Sequence, residues 1–244
     1  MTIGAIDESQ RTAARVVGVL YLAMMATSIF FDVFVWRNII VPGDAARTAS
    51  NIMANERLFR TGVVFELVTC AGDIALLMGL YVLLEPVNQG LALLAAFWRL
   101  AESVVFGVLA IGSMVVLIVL GGANQSHAFA LDQLQELARV AMRTHAAGFT
   151  VAFVFLGLGG ALFSYLLFKS RYVPRAFGVL GVFAYILMLA YSVAIIIVPQ
   201  FAVLSLAPYA PAGVFEIGCG LWFLVKGVRA PASAPRALEP VAAT

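Results

Sequence analysis

Charged residues are scarce in this chain of 244 residues, where lysine, arginine, aspartate and glutamate together make up 11%. Soluble domains carry about 25% charged residues, so the composition argues against a soluble protein. The 63% hydrophobic share and the mean hydropathy of +1.00 indicate a protein surrounded by lipid. The net charge is only +2 and its carriers are scattered, so we expect no nucleic-acid partner.

Cysteine and histidine are also rare, with two of each. Cys70 and Cys219 fall inside apolar segments, where cysteine is typically a small buried hydrophobe and not part of a disulfide framework. His127 and His145 form no His-x-x-x-His pair, and no cysteine pair has the spacing of zinc ligands. We therefore expect no metal and no cofactor. Phosphate loops and dinucleotide fingerprints are absent as well, so no motif assigns an enzyme class.

The chain contains six long apolar stretches. A bilayer core of about 30 Å needs about 20 apolar residues per helix, so they predict an all-α, polytopic membrane protein with a bundle of six transmembrane helices. The predicted spans are 13–36, 61–84, 91–120, 146–168, 176–198 and 210–227. Together they form one domain, 13–227, between a polar N-terminal segment, 1–12, and an Ala/Pro-rich tail, 228–244, that we expect to be disordered.

The most polar stretch of the middle of the chain lies between the third and fourth spans. Leu131, Leu134 and Leu137 recur there at helical spacing, and charged residues fall between them. This pattern predicts a short amphipathic helix lying in the membrane interface.

The basic residues in the short loops predict the orientation. With six spans, both termini lie on one side of the membrane, and that side includes the turn with Lys169, Arg171 and Arg175. Because short cytoplasmic loops are enriched in lysine and arginine, we expect a multi-pass protein of the cell membrane with both termini in the cytoplasm.

A few ionisable residues interrupt the apolar spans. A charge at the centre of a membrane helix costs about 2.5–3.5 kcal/mol on insertion scales, so such residues are functional candidates by default. The candidate ligand-binding residues are Glu66, Asp73, Arg99, Glu102, His145 and Glu216. Among them, Glu66, Asp73 and Glu216 are also candidate catalytic acids.

The second and third spans form an antiparallel hairpin that turns near residue 87, so residues equidistant from the turn lie at equal depth. Asp73 should therefore lie level with Arg99 and Glu102, which are three residues apart on one helix face. We expect an acid–base–acid triad with Arg99 between the two carboxylates. The alternative role of this triad is structural, as a neutralised network that holds two helices in register.

Glu66 lies seven residues before Asp73 on the same face of its helix, nearer the extracytoplasmic end. Counted from the ends of their spans, Glu66, His145 and Glu216 should lie at similar depths on that side. Carboxyl groups without a cation tend to stay protonated in a low dielectric. They are therefore candidates for a proton donor or a cation site, or neutral acids that only hydrogen-bond a neighbouring helix.

Several stretches together resemble the bacterial family labelled domain of unknown function 4386. They are GDAARTASNIMANERLFR, LLEPVNQGLALL, WRLAES, VPRAFGVLG and VFEIGCGLWFLVKG, in that order, across most of residues 11–227. The resemblance implies a six-helix membrane protein and no particular activity.

Three functions remain open. The first is an integral membrane protein that binds a small or lipid-like ligand, or a partner, at an intramembrane polar site. The second is a membrane-embedded enzyme that uses a protonated carboxylate as general acid on a lipid or isoprenoid. The third is a proton-coupled transporter, against which six helices without broken half-helices argue. Homodimerisation is one way to supply the missing volume. The expected partners are the lipid bilayer and a hydrophobic small molecule.

Overall fold

The structure, a computed structural model, describes residues 6–41, 43–126, 130–204 and 207–229, and every regular element in them is a helix. The main helices are α1 (Glu8–Phe31), α2 (Ala45–Ala54), α3 (Glu56–Leu84), α4 (Gln89–Ser126), α5 (Leu131–Ser170), α6 (Arg175–Ile197) and α7 (Ala210–Val225). A π-helical turn at Asp32–Trp36 and a short helix at Arg37–Ile39 extend α1. Two 3-10 segments, Pro199–Leu204 and Ala207–Tyr209, join α6 to α7.

Within the described residues, six segments are long and apolar enough to cross a membrane, and they include every long helix but neither α2 nor the 3-10 segment Pro199–Leu204. The predicted all-helical fold with six membrane helices is therefore confirmed at the level of length and composition.

The six long helices form a closed ring in chain order. Each packs against the next long helix, and α1 also packs against α7, so the first and last helices close the circle. The α1–α7 crossing is tight, because a Cβ atom on Gly18 would lie 2.9 Å from the carbonyl oxygen of Gly220. Small residues allow membrane helices to approach in this way. The ring encloses an interior that several helices can line together.

The outside of the ring is apolar and the inside carries charge. On α4, Val108, Ile111 and Ile118 are 59%, 65% and 69% exposed, whereas Arg99 and Glu102 on the same helix are 5% and 2% exposed. This arrangement suits lipid as the solvent, since ionisable side chains in membrane helices face the bundle interior.

Helix α1 begins at Glu8 and not near residue 13, because a capping box starts it. The Asp7 carboxylate accepts from the backbone N–H of Gln10 at 2.7 Å, and the Gln10 side chain accepts from the N–H of Asp7 at 3.3 Å. Residues 1–5 of the predicted N-terminal segment and 230–244 of the predicted tail lie outside the described residues.

The structure does not contain the predicted amphipathic helix as a separate element between the third and fourth spans. Residues 131–170 form one continuous helix, α5, because no glycine or proline interrupts the chain between residue 131 and Gly148. A short helix precedes α3 instead. It is α2, whose N-cap Asp44 accepts from the N–H of Arg47 at 2.8 Å.

Candidate functional site

Two groups of polar side chains lie inside the ring. We call the first the Arg99 cluster, which consists of Asp73, Arg99, Glu102, Tyr185 and Glu216. We call the second the Glu66 cluster, which consists of Glu66, Ser113 and His145. Glu66 and Asp73 belong to the same helix, and their seven-residue separation corresponds to about 10 Å along its axis.

Arg99 binds two carboxylates at once. Its Nη1 lies 2.6 Å from Oε2 of Glu102, and its Nη2 lies 3.3 Å from Oδ1 of Asp73. All three residues are at most 7% exposed. The structure thus brings together the three residues that the hairpin geometry placed at one depth. The hairpin turn is tight, as α3 ends at Leu84 and α4 begins at Gln89.

Helix α5 supports this cluster with glycines. A Cβ atom on Gly159 would lie 2.8 Å from Cγ of Arg99 and 2.9 Å from the carbonyl oxygen of Ala95, and one on Gly160 would lie 2.5 Å from the Tyr185 ring. Glycine at these two positions therefore lets α5 pack directly against the stem of Arg99 and the ring of Tyr185.

Glu216 belongs to the Arg99 cluster, which corrects the expectation that it lies at the depth of Glu66 and His145. The Tyr185 hydroxyl donates to Oε1 of Glu216 at 2.7 Å, and the Glu216 carboxyl is close enough to Arg99 and Asp73 to interact with both electrostatically. Counting from helix ends failed because α7 has 16 residues and α3 has 29. At 1.5 Å per residue, helices of such different length cannot start at the same height and also end together.

Charge is unbalanced in this cluster. Three carboxyl groups, those of Asp73, Glu102 and Glu216, surround one guanidinium group among the described residues. Isolated charges are costly in an apolar interior, so the acids beyond the charge of Arg99 are best accommodated as neutral, hydrogen-bonded groups. The cluster draws its side chains from α3, α4, α6 and α7.

The Glu66 cluster contains a buried acid–imidazole pair. Nε2 of His145 lies 2.8 Å from Oε1 of Glu66, and both side chains are 8% exposed. The Ser113 hydroxyl donates to Oε2 of Glu66 over a longer 3.4 Å. The second carboxylate oxygen is therefore held only weakly by the protein.

A cavity borders Glu66. Its lining combines Glu66 and Ser113 with three aromatic and three smaller apolar residues: Phe31, Val35, Trp36, Phe59, Gly62 and Val63. Its free volume is about 10 Å³. A polar cavity of that size has room for about one water-sized group.

The connection between the clusters runs along α3 and α4. The Cys70 thiol donates to the carbonyl oxygen of Ser103 at 3.2 Å, and the Ser103 hydroxyl donates to the carbonyl oxygen of Arg99 at 3.2 Å. These contacts satisfy polar groups between the clusters. In the described part of the chain, no three His, Cys, Asp or Glu side chains form a group able to hold a metal ion.

Sequence reasoning missed the uncharged members of both clusters, Tyr185 and Ser113, and the cavity residue Trp36. Tyr185 and Trp36 are aromatic residues with a polar group, which usually finds a partner when buried. That rule was the available signal, but aromatic residues are common in this chain. Ser113 carried no signal beyond its position in an apolar helix.

A family model described as "Domain of unknown function (DUF4386)" matches residues 16–227. No curated protein and no solved structure matches the chain.

Proposed function

This chain belongs to the DUF4386 family, and from that premise we propose that it is a membrane-embedded protein that binds a small or lipid-like ligand at an intramembrane polar site, the Glu66 cluster. The site residues are Glu66, Ser113 and His145, together with the apolar lining of the adjoining cavity.

The observation that supports this proposal most is the position of the cavity. A buried ionisable pair in a membrane helix is expensive and marks a functional site by default. The Glu66–His145 pair meets a cavity with aromatic and aliphatic walls, and ligand sites typically combine such walls with a few convergent polar groups. The Arg99 cluster, in contrast, directs its charged groups at one another.

The bilayer and the orientation are part of the proposal. Lys169, Arg171 and Arg175 are exposed at the end that holds the termini. At the opposite end, three arginines pair with acids, Arg37 with Asp32, Arg60 with Glu56 and Arg139 with Glu136, whereas Arg47 and Arg57 are exposed. Because lysine and arginine in short loops favour the cytoplasmic side, the short turn with three of them supports cytoplasmic termini in a bacterial inner membrane.

A proton-coupled transporter or an acid-catalysing enzyme remains the second candidate. The observation in its favour is the excess of carboxyl groups over cations in the Arg99 cluster. We place it second because the cavity borders Glu66, whereas the excess carboxyl groups belong to the Arg99 cluster. In that alternative, Glu216 and Asp73 would carry the exchanged protons.

The test is mass spectrometry of the small molecules extracted from the full-length protein after purification in detergent. We expect a specific molecule in the wild type and in Glu56→Gln, a control at an exposed ion pair, and its loss in Glu66→Gln. Glu216→Gln should keep it, since Glu216 belongs to the other cluster.

Two results would overturn the proposal. If neither wild type nor Glu66→Gln retains any molecule and their thermal stabilities are equal, Glu66 forms no tight ligand site. If Glu216→Gln loses the molecule and Glu66→Gln keeps it, the ligand site is the Arg99 cluster.

A further inference from the structure

We propose that the end of the bundle that holds the termini carries a binding site for an anionic phospholipid. The site is the basic rim, which consists of the five exposed basic residues in the α5–α6 turn and at the end of α7: Lys169, Arg171, Arg175, Lys226 and Arg229. Its ligand is a membrane lipid whose phosphate headgroup bears a net negative charge. The proposal does not depend on Glu66 or on the cavity beside it.

Neighbouring acids do not balance the charge of the basic rim. Residues 169–175 and 221–229 contain all five basic residues and no aspartate or glutamate. Within the described residues, none of the five forms a salt bridge. The acids at this end belong to other elements, since Asp7 and Glu8 lie at the start of α1 and Glu85 lies in the α3–α4 turn. A cluster of four to eight basic residues beside membrane helices is typical of sites for anionic lipid headgroups.

Backbone contacts bring the two parts of the basic rim together. The N–H of Arg229 donates to the carbonyl oxygen of Tyr172 at 3.0 Å, which binds the chain after α7 to the α5–α6 turn. Gly227 lies between α7 and this contact at a φ of 64°, a conformation that glycine adopts without strain. Inside the turn, the N–H of Tyr172 donates to Oγ of Ser170 at 3.3 Å. The basic side chains therefore project from backbone that is held in place.

Two of the arginines lie over aromatic rings. Cζ of Arg175 is 5.7 Å from the ring centroid of Phe168, and Cζ of Arg229 is 4.5 Å from that of Trp222. The Trp222 ring in turn contacts Phe177, with centroids 6.1 Å apart. Such rings hold a guanidinium group by cation–π attraction, and tryptophan is enriched where membrane meets water. A guanidinium group can bind a phosphate through two parallel hydrogen bonds, so both arginines suit a headgroup at the membrane surface.

An apolar stripe continues from Arg175 along the outside of α6. Val179, Phe183 and Ile186 follow at spacings of four, four and three residues, which places them on one face of the helix. They are 57%, 59% and 52% exposed. A phospholipid whose phosphate binds Arg175 can lay an acyl chain along this stripe, whereas a soluble phosphate has no group to place there. The combination of charge and apolar surface therefore favours a lipid.

The opposite end of the bundle offers a matched control. Arg47 and Arg57 are exposed there as well. Both have an acid close by in the sequence, since Asp44 lies three residues before Arg47 and Glu56 directly precedes Arg57. Replacing these two arginines removes as much positive charge as replacing two arginines of the basic rim, and it leaves the proposed site intact.

The experiment measures the Tm of the full-length protein in a neutral detergent with added lipid. Phosphatidylglycerol should raise the Tm of the wild type with increasing concentration, whereas phosphatidylcholine with the same acyl chains should not. Arg175→Gln/Arg229→Gln should weaken the apparent affinity about 30-fold, because each basic residue near an anionic surface contributes about 1 kcal/mol. Arg47→Gln/Arg57→Gln should leave it unchanged. Glycerol phosphate, a headgroup without acyl chains, should give no shift.

Two further variants keep the test decisive if Arg175→Gln/Arg229→Gln folds poorly. Arg175→Lys/Arg229→Lys preserves the charge and should keep more of the phosphatidylglycerol shift than the glutamine pair. Phe183→Ala leaves every charge in place and should reduce the shift, because it shortens the apolar stripe. Each shift is taken relative to the lipid-free Tm of the same variant, so that the stability of the variant itself does not enter.

Equal stabilisation by phosphatidylcholine would overturn the proposal, as would equal losses of affinity in Arg175→Gln/Arg229→Gln and Arg47→Gln/Arg57→Gln. A shift with glycerol phosphate as large as that with phosphatidylglycerol would show that the basic rim binds soluble phosphates and not a lipid. None of these results affects the Glu66 site, which is tested by the molecule that co-purifies with the protein.

Discussion

The Arg99 cluster and the Glu66 cluster use the same kinds of acidic residue in very different surroundings. Around Arg99, two carboxylates share one guanidinium, and Glu216 accepts from Tyr185. Around Glu66, one carboxylate oxygen is paired with His145, the other accepts from Ser113 at 3.4 Å, and the residue borders a small cavity. The comparison teaches that a carboxylate in a membrane helix has no fixed role. Its neighbours decide whether it is held by a guanidinium group or by weaker, partly uncharged donors.

The energetics of the two clusters should differ accordingly. Removing one partner of a buried ion pair strands the other charge and costs about 3–5 kcal/mol. Arg99 has two such partners, both nearly inaccessible. The Glu66 pair contains no arginine or lysine. Mutations in the Arg99 cluster should mainly affect stability, and mutations in the Glu66 cluster should mainly affect binding.

The largest effect is expected from Arg99→Met. This change leaves the carboxyl groups of Asp73, Glu102 and Glu216 without their cation, at a cost of about 3–5 kcal/mol. Thermal unfolding in detergent measures it, with Arg57→Met at an exposed position as the control. An unchanged Tm for Arg99→Met would show that the cluster does not hold the bundle together.

The second-largest loss of stability is expected from Gly159→Ala, at about 1–3 kcal/mol, because the added methyl group overpacks the interior. The new methyl group would meet Cγ of Arg99 at 2.8 Å and the backbone oxygen of Ala95 at 2.9 Å, and the backbone atom cannot turn away. The matched control is Gly112→Ala on the exposed side of α4, where a Cβ meets nothing within 4 Å. The same fall in Tm for both variants would mean that α5 does not pack closely on Arg99.

Gly62→Ala tests packing near the Glu66 cluster, where the new methyl group would meet its nearest atom at the same distance as in Gly159→Ala, 2.8 Å. Here the nearest atom is Cε2 of Phe31, at 2.8 Å, and an aromatic ring can turn where a backbone oxygen cannot. We expect a smaller loss of Tm than for Gly159→Ala and a loss of the co-purified molecule, because the displaced ring enters the cavity. Extraction and mass spectrometry check the second point. If Gly62→Ala retains as much of the co-purified molecule as the wild type, the molecule does not bind in this cavity.

The smallest effect is expected from Tyr172→Phe, in the turn between α5 and α6 outside both clusters. The Gln10 amide donates to the Tyr172 hydroxyl at 3.1 Å, and the loss of one such bond costs about 0.5–1.5 kcal/mol. Burial raises the pKa of Tyr172, against a smaller lowering by the Gln10 hydrogen bond.

This shift gives the prediction a pH dependence. A raised pKa in the folded state stabilises the fold below the ordinary pKa of tyrosine, and this stabilisation is lost as the pH rises through the folded-state pKa. The wild type should therefore lose more stability than Tyr172→Phe between neutral and strongly alkaline pH. Parallel Tm curves for the two proteins would contradict this origin.

The sequence alone predicted six candidate membrane spans, because apolar helical runs of about 20 residues match the thickness of a bilayer core. It also placed Asp73 level with Arg99 and Glu102, since a tight turn between Leu84 and Gln89 fixes how two neighbouring helices align. Local rules suffice where the residues that meet belong to consecutive helices joined by a few residues.

Only the tertiary structure decided the rest. Glu216 reaches the Arg99 cluster because the ring closes between α7 and α1 and because α7 is short. Trp36 reaches the cavity through a π-helical turn that helical periodicity does not reveal. Both depend on how distant helices pack at specific heights, and glycine contacts such as that of Gly159 with Arg99 set those heights. The physical reason is that a periodic sequence specifies which face of a helix is buried, whereas the partner and depth of a buried side chain depend on all the helices around it.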